Sequence, residues 1–410
     1  MKSSTNILAG AVLGMAVGTS AHALDLRGLL DARIVAADAR HGWTRDGLGK
    51  MRYDQASDGI RLGQAFVRAD GEPLDAVTVS VVLSAADDRH GALDVNEAWI
   101  GWNPLPAGPW KTRVKAGAFF PATSLEIDYD SVGWTPVRTV SSSALNSWIG
   151  EELRTKGIEF NLSRRGRFAG SPHDVGFTVA LFNGNDPAGT LIAWRGWAIS
   201  DRISGLSEPL RLADLPVYRP DGAIAKQSRT IHLFREIDGR AGYYAGAQYA
   251  YGERLEAAVL HYDNRGDPLI VKNGQYSWTT RFDHLSLRLR PGGGWELAMQ
   301  AMQGSTVMGR AAVRLDYGAW YLLASHPLGG GTAALRYDRF RAREDDILPS
   351  DPNGEDGSAW ALAYSYRIND ALSLVAEALL VRSTRPARAL VGENPRLTER
   401  GVTAALRWQF

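Results

Sequence analysis

Lys111, Arg113 and Lys115 occupy every second position of the segment 110–116. On an extended chain successive side chains point to opposite faces. The three cations therefore form one ladder, and Trp110, Thr112, Val114 and Ala116 form the other face. A ladder of fixed cations beside water is one way a pore selects anions. The same spacing puts Arg27, Asp31 and Arg33 on one face, and groups Arg288 with Arg290, Arg314 with Asp316 and Arg336 with Asp338. Arg61, Arg367, Glu377 and Arg407 lie on the polar faces of other segments, as do Glu97, Glu159, Glu256 and Glu296. The tally is twelve basic against eight acidic positions, a modest cationic surplus that favours anions. The plainer alternative is that these charges line a wet wall and pair with one another.

Other chemistries find less support. The chain has no Cys, which excludes disulfides, thiolate metal sites and a cysteine nucleophile. Neither G-x-S-x-G nor H-E-x-x-H occurs, and the His residues are scattered. An enzymatic barrel would need a Ser/His or Asp/His constellation on its lipid or loop face. The run Glu344-Asp345-Asp346 reads as a solvated cluster, so no metal or cofactor is expected. Lys plus Arg number 46 against 45 Asp plus Glu, a balance that gives no reason to expect a nucleic-acid partner.

The elements that must position these residues are β-strands. Val402, Ala404, Leu406, Trp408 and Phe410 alternate with small or polar residues in the last ten positions. Similar alternation recurs at 77–84, 158–163, 285–290, 360–368 and 372–380. Each segment spans about ten residues, the length a tilted strand needs to cross a bilayer. In lipid the backbone must bond internally, so such strands close into a barrel. Residues 1–23 read as a cleaved export signal, with Lys2, an apolar run over 7–18 and Ala21-His22-Ala23. Residues 24–410 then form one all-β domain, a transmembrane antiparallel barrel of the bacterial outer membrane. The terminal Phe410 is the expected signal to the barrel-assembly machinery, and lipid with lipopolysaccharide is the expected surrounding.

Strands are expected near 24–37, 59–69, 75–85, 93–102, 110–120, 154–163, 173–183, 240–250, 253–262, 277–290, 294–303, 313–325, 331–341, 358–368, 371–381 and 400–410. That is sixteen, with short periplasmic turns and long extracellular loops at 38–58, 121–153, 184–239, 263–276, 342–357 and 382–399. A strand pair hidden in 184–239 (191–199 with 230–234) would make eighteen, and 304–312 is a loop of uncertain extent. Trp278 and Phe282 share the parity of Arg288, which predicts a bulge between them. Sixteen strands leave a water-filled lumen. Loop 121–153 is the candidate constriction, with Arg138, Trp148, Glu151 and Glu152, although an external flap or subunit contact fits equally. Trp134, Trp148, Trp194 and Trp197, with Arg195, could instead form a stacking surface for sugars or simply hold the loops together.

One segment resembles a known family. Asn96-Glu97-Ala98-Trp99-Ile100-Gly101-Trp102, followed by Val114-Lys115-Ala116-Gly117-Ala118-Phe119-Phe120-Pro121-Ala122-Thr123-Ser124-Leu125-Glu126, resembles the phosphate-selective porin O/P superfamily. Ala122 stands where the family pattern has a second proline. The resemblance implies a sixteen-stranded, usually trimeric barrel that passes small hydrophilic anions. It identifies no binding residue, and Arg138 is the lone basic residue of loop 121–153. The remaining alternatives are a solute-specific channel for sugars or other organic compounds, an outer-membrane enzyme and an adhesin.

Overall fold

The computed structural model describes residues 24–410 apart from His90, Ala92, Asp130 and Ser131. The export segment expected over residues 1–23 lies outside the described residues. Sixteen antiparallel strands close into one barrel. In chain order they are β1 Asp25–Ala37, β2 Gly59–Leu74, β3 Val77–Ala85, β4 Asp94–Trp102, β5 Trp110–Phe119, β6 Thr155–Arg164, β7 His173–Asn183 and β8 Gly242–Tyr251. They continue as β9 Leu255–Asp263, β10 Thr279–Gly292, β11 Trp295–Met308, β12 Val313–Leu328, β13 Gly331–Glu344, β14 Glu355–Arg367, β15 Leu372–Thr384 and β16 Arg396–Gln409. The seam joins β1 to β16, from Leu29 opposite Gln409 to Ala37 opposite Gly401. Closure leaves no strand edge unpaired, which is what a lipid-embedded sheet requires.

One end of the barrel carries tight turns. Gly329 and Gly330, with φ of +55° and +84°, connect β12 to β13 in two residues, a conformation a side chain would strain. The opposite end carries the long connections. Alternation decides the faces: Ile34, Ile60, Ile100, Leu181, Leu362 and Val402 are exposed on the outer wall. Among the described residues no helix is long and apolar enough to cross a membrane, and the strands supply an apolar outer wall.

The structure corrects three local expectations. The loop expected over 304–312 shrinks to four residues, because β11 runs on to Met308 and β12 begins at Val313. No further barrel strands lie in 184–239. Thr190–Trp194 is helical, and Thr230–His232 pairs only with Pro209–Arg211 in a separate ladder. Leu191, Ile192 and Trp194 are all buried, so that segment needs no alternation. Nor does β10 contain the expected bulge below Phe282: its pairing with β9 and β11 is unbroken from Arg281 to Leu289. Phe282 faces inward, 1% exposed, because the lumen at that level is an apolar core rather than water.

That core is built from two loops. Loop 121–153 carries helix α1, Ala144–Glu152, and all nine of its residues are buried. Ser143 caps it by accepting a hydrogen bond from the Asn146 amide. Loop 184–239 carries α2, Thr190–Trp194, which packs beside α1. Trp148, Trp194, Trp197 and Trp278 are fully buried and interlock edge to face, with Trp148 6.2 Å from Trp197 and Trp194 5.2 Å from Trp278. The inner faces of Phe282, Tyr317 and Phe340 complete the core from the wall.

Candidate functional site

The site is the lumen and the loop that crosses it. Loop 121–153 leaves β5 and reaches the opposite wall, where five strands hold it. Arg288 of β10 donates to the Leu125 carbonyl at 2.7 Å, and the Leu125 amide donates to Gln300 of β11 at 2.9 Å. Arg336 of β13 donates to the Ser141 carbonyl at 2.6 Å. The Val140 amide donates to Glu377 of β15 at 2.9 Å, and Arg407 of β16 donates to the Pro136 carbonyl at 2.8 Å. Glu126 closes the loop on itself, accepting from the Ser143 amide at 3.0 Å and from Arg336 at 2.8 Å.

Loop 184–239 is fastened through Asp201. Its carboxylate accepts from Arg33 of β1 at 2.5 Å, from Arg52 at 3.2 Å and from Gln64 at 2.8 Å. Arg33 and Arg407 share Asp31, at 2.6 and 2.9 Å. Gly63 makes this possible: the pairing of β1 with β2 skips it, and a Cβ there would collide with the Arg33 guanidinium. Asp201 lies between two guanidiniums, and they hold its carboxyl well below the usual carboxylate range despite burial.

The inward cations divide into three groups. Arg33, Arg336 and Arg407 are buried beneath the loops and act as fasteners. Arg27, Arg61, Lys115, Arg288 and Arg290 face the lumen in ion pairs: Arg27 with Asp70, Arg61 with Asp87 at 4.0 Å, Lys115 with Glu159 at 3.9 Å. Arg288 and Arg290 share Glu256 at 2.9 and 2.8 Å, and Arg290 also meets Glu296 at 3.0 Å. Lys111, Arg113 and Arg367 have no ion pair among the described residues; Arg113 lies 5.6 Å from the Trp99 ring. All three stand near the short-turn end.

Arg314 and Asp316 do not face the lumen. They share parity with the exposed Trp320 and Leu322, while the inward Tyr317 and Tyr321 are buried. β12 has sixteen residues, more than a bilayer crossing needs, so its long-loop end clears the apolar band and charges there are tolerated outside. The constriction candidates also separate. Arg138 faces open space and lies 3.6 Å from Glu296. Trp148, Glu151 and Glu152 are fully buried, so they cannot line a passage. Glu151 pairs with Arg195, and Glu152 accepts from the Trp148 indole and from the Leu191 amide at 2.9 Å. Trp134, Trp194 and Trp197 are likewise packed inside, which removes the expected stacking surface and leaves the loop-holding role.

Open space lies below the loop. One cavity of 370 Å³ is lined by Arg138, Arg367, Ser373, Arg407 and Gln409. Another, of 210 Å³, is lined by Arg138, Arg288, Arg290, Glu296 and Tyr321. Asp201, Arg52 and Gln300, which organise the loops, escaped the sequence reading, and Glu126 entered it only as the end of the family-like segment. Their partners are distant in the chain, and no local spacing signals them. Asp186, Glu236 and Asp238 bring carboxylate oxygens within 4.8 Å of one another. Asp186 there accepts the Ile237 and Asp238 amides, and burial pushes it up to about 7. On the outer wall His261 lies 2.7 Å from Asp283, but Ser305, two strands over, accepts from Arg281 instead of a histidine.

Burial pushes the Glu152 carboxyl up to about 7. The unfolded value is lower, so the packed loops bind this proton more tightly. Their packing is fully supported in acid and weakens as pH rises through about 7, by roughly 3 kcal/mol at most. Amide exchange across residues 144–152, corrected for the intrinsic pH dependence of exchange, is expected to show greater protection at pH 5.5 than at pH 8. Glu152→Gln is expected to flatten that dependence, and a wild-type profile already flat would overturn the assignment.

No family model and no curated protein sequence matches the chain. Solved structures do match its fold. DcaP, an outer membrane channel of Acinetobacter baumannii, aligns with a TM-score of 0.55 at 10% identity, over 96% of this chain and 99% of that one. A loop deletion mutant of OmpT, an outer membrane protein of Vibrio cholerae, gives 0.54 at 11% identity, over 95% and 100%. An anion-selective porin from Comamonas acidovorans gives 0.51 at 13% identity, over 95% and 100%. The chain therefore has the sixteen-stranded fold of outer-membrane porins and channels.

Proposed function

We propose that this protein is a bacterial outer-membrane channel for small hydrophilic solutes, with a preference for anions. The carrying observation is a loop that crosses a sixteen-stranded lumen, tied to five strands of the far wall, with a cavity lined by Arg138, Arg367 and Arg407 beneath it. In this reading residues 1–23 direct export, the short turns face the periplasm and the two inward loops set the resistance to flow. Lys111, Arg113 and Arg367, unpaired at the periplasmic mouth, supply the anion preference, because the deeper cations are already neutralised by carboxylates. Phosphate or organic anions are the proposed solutes. A dedicated phosphate site gains little support, since the one basic residue of loop 121–153, Arg138, is engaged by Glu296. A trimeric assembly, membership of the phosphate-selective O/P superfamily and recognition of Phe410 by the assembly machinery belong to the same proposal.

The test is the zero-current potential of refolded protein in a planar bilayer under a KCl gradient. Anion selectivity is expected, moving toward zero in Lys111→Gln/Arg113→Gln/Arg367→Gln. Cation selectivity in the wild type would overturn the anion preference, and no conductance at any pH would overturn the channel itself.

A further inference from the structure

The outer wall carries a second cationic array that the channel reading does not use. Trp320, Tyr337 and Trp360 form an outward aromatic row across β12, β13 and β14, with ring centres 5.6 and 4.6 Å apart. Such rows mark a bilayer interface. Toward the long-loop end β13 next presents Arg339, Arg341 and Arg343 at alternate positions, all with the parity of Tyr337. Arg382 of β15 lies opposite Ser358 at the same level as Arg339. Arg339 is paired with Asp356 at 2.5 Å. Arg341, Arg343 and Arg382 are exposed and make no ion pair among the described residues, although Asp356 and Asp316 stand opposite Arg341 and Arg343 in the strand register.

A depression of 1490 Å³ adjoins Arg341 and Arg343. Val259, Leu285, Ala301, Gly318 and Trp320 line its apolar part, and Arg339, Arg341 and Arg343 line its polar part together with Asp283, Glu355 and Asp356. It lies on the outside of the wall, because Val259, Leu285 and Trp320 line it with exposed side chains, while Met302, Ala319, Phe340 and Ala342, which also border it, have their side chains buried in the core. Gly318 stands directly opposite Arg341, so the missing side chain opens the floor beneath the guanidinium.

We propose that this surface binds a phosphorylated lipid of the outer leaflet. Its acyl chain would lie along Ala301, Gly318 and Trp320, and its phosphate would meet Arg341 and Arg343, with Arg382 beside them. Arginine just beyond an aromatic row is placed to meet anionic headgroups. A second copy of the chain fits less well. The exposed outer faces of β1–β7, represented by Ile34, Ile60, Val67, Ile100, Ile158 and Leu181, are apolar and offer these arginines no carboxylate. The proposal rests on the membrane orientation given above.

The test uses full-length protein refolded in detergent and native mass spectrometry, with bisphosphorylated lipid A as probe and phosphatidylethanolamine as the neutral comparison. Wild type is expected to retain lipid A selectively. Arg341→Gln/Arg343→Gln/Arg382→Gln is expected to lose about a hundredfold in lipid A affinity. Lumen neutralisation by Lys111→Gln/Arg367→Gln is expected to leave binding unchanged, and millimolar inorganic phosphate is expected not to displace the lipid. Conductance and heat-modifiable migration check that each variant has folded. Unchanged lipid retention in the folded triple variant would overturn the proposal. So would displacement by phosphate alone, or a variant that changes oligomeric state while keeping its lipid, since the surface would then join copies. Lipid loss with normal conductance supports the site; wild-type lipid binding without conductance would count against the channel reading alone.

Discussion

Asp201→Ala is expected to release loop 184–239 from the barrel wall and to cost about 3–5 kcal/mol of loop packing. Asp201 is the junction of Arg33, Arg52 and Gln64, and the Arg33 side chain is fully buried. Without it, Arg33 keeps only Asp31, which Arg407 already shares, and Arg52 keeps Asp88 and the Gly63 carbonyl. Two buried guanidiniums then each lose a carboxylate partner. A buried ion pair contributes little net stability when intact, but a broken one leaves an uncompensated charge. Limited trypsin digestion should find Arg202, 3% exposed in the intact loop, newly cleavable, and single-channel conductance should rise. Asp201→Asn keeps an acceptor and should show a smaller change. Because the carboxyl is held low, acid has the same sense: the fastening is intact above the usual carboxylate range and is lost as pH falls well below it. Protease resistance unchanged in Asp201→Ala would show that the loop is held elsewhere.

Trp148→Ala is expected to cost about 3–5 kcal/mol of the same packing, by a different route. The indole is fully buried, with ring centres 5.4 Å from Tyr317, 5.6 Å from Phe282 and 6.2 Å from Trp197. Truncation leaves a cavity at the contact of both loops with the wall, and it strips Glu152 of the indole donor. The sixteen-strand hydrogen-bond ladder does not pass through this residue, so the barrel should still migrate as a folded, heat-modifiable species. The change should appear as faster amide exchange across residues 144–152 and as a larger, noisier conductance. Trp148→Phe retains most of the apolar area and should fall between. Wild-type exchange rates in the alanine variant would sink the assignment of α1 as a packed plug.

Much of the wall was legible because strand alternation is local. Trp360, Leu362 and Tyr364 announce a lipid face from their own spacing, and most short turns are marked by Gly, Asn or Pro, although β2 runs on to Leu74 and turns at Asp75-Ala76. The entry of loop 121–153 into the lumen was open to either reading, since the same residues could fold outward. The aromatic residues of the loops misled in a specific way. Trp194 and Trp197 around Arg195 look like a ligand surface, yet an apolar plug needs the same residues.

What the sequence by itself determined is the period of the strands and an even count of sixteen or eighteen, which the helical 190–194 segment settled at sixteen. The period depends on side chains two residues apart. What only the tertiary structure decided is which charges meet water. Arg33 and Asp201 stand 168 positions apart, so their pairing exists only once the barrel closes around the loops. Arg314 was assigned inward on the premise that charges avoid the outer wall. The premise holds within the hydrocarbon band but fails beyond the aromatic row, where the outside of a long strand is itself polar. Position along the barrel axis, which no pairwise spacing encodes, sets the environment of a face.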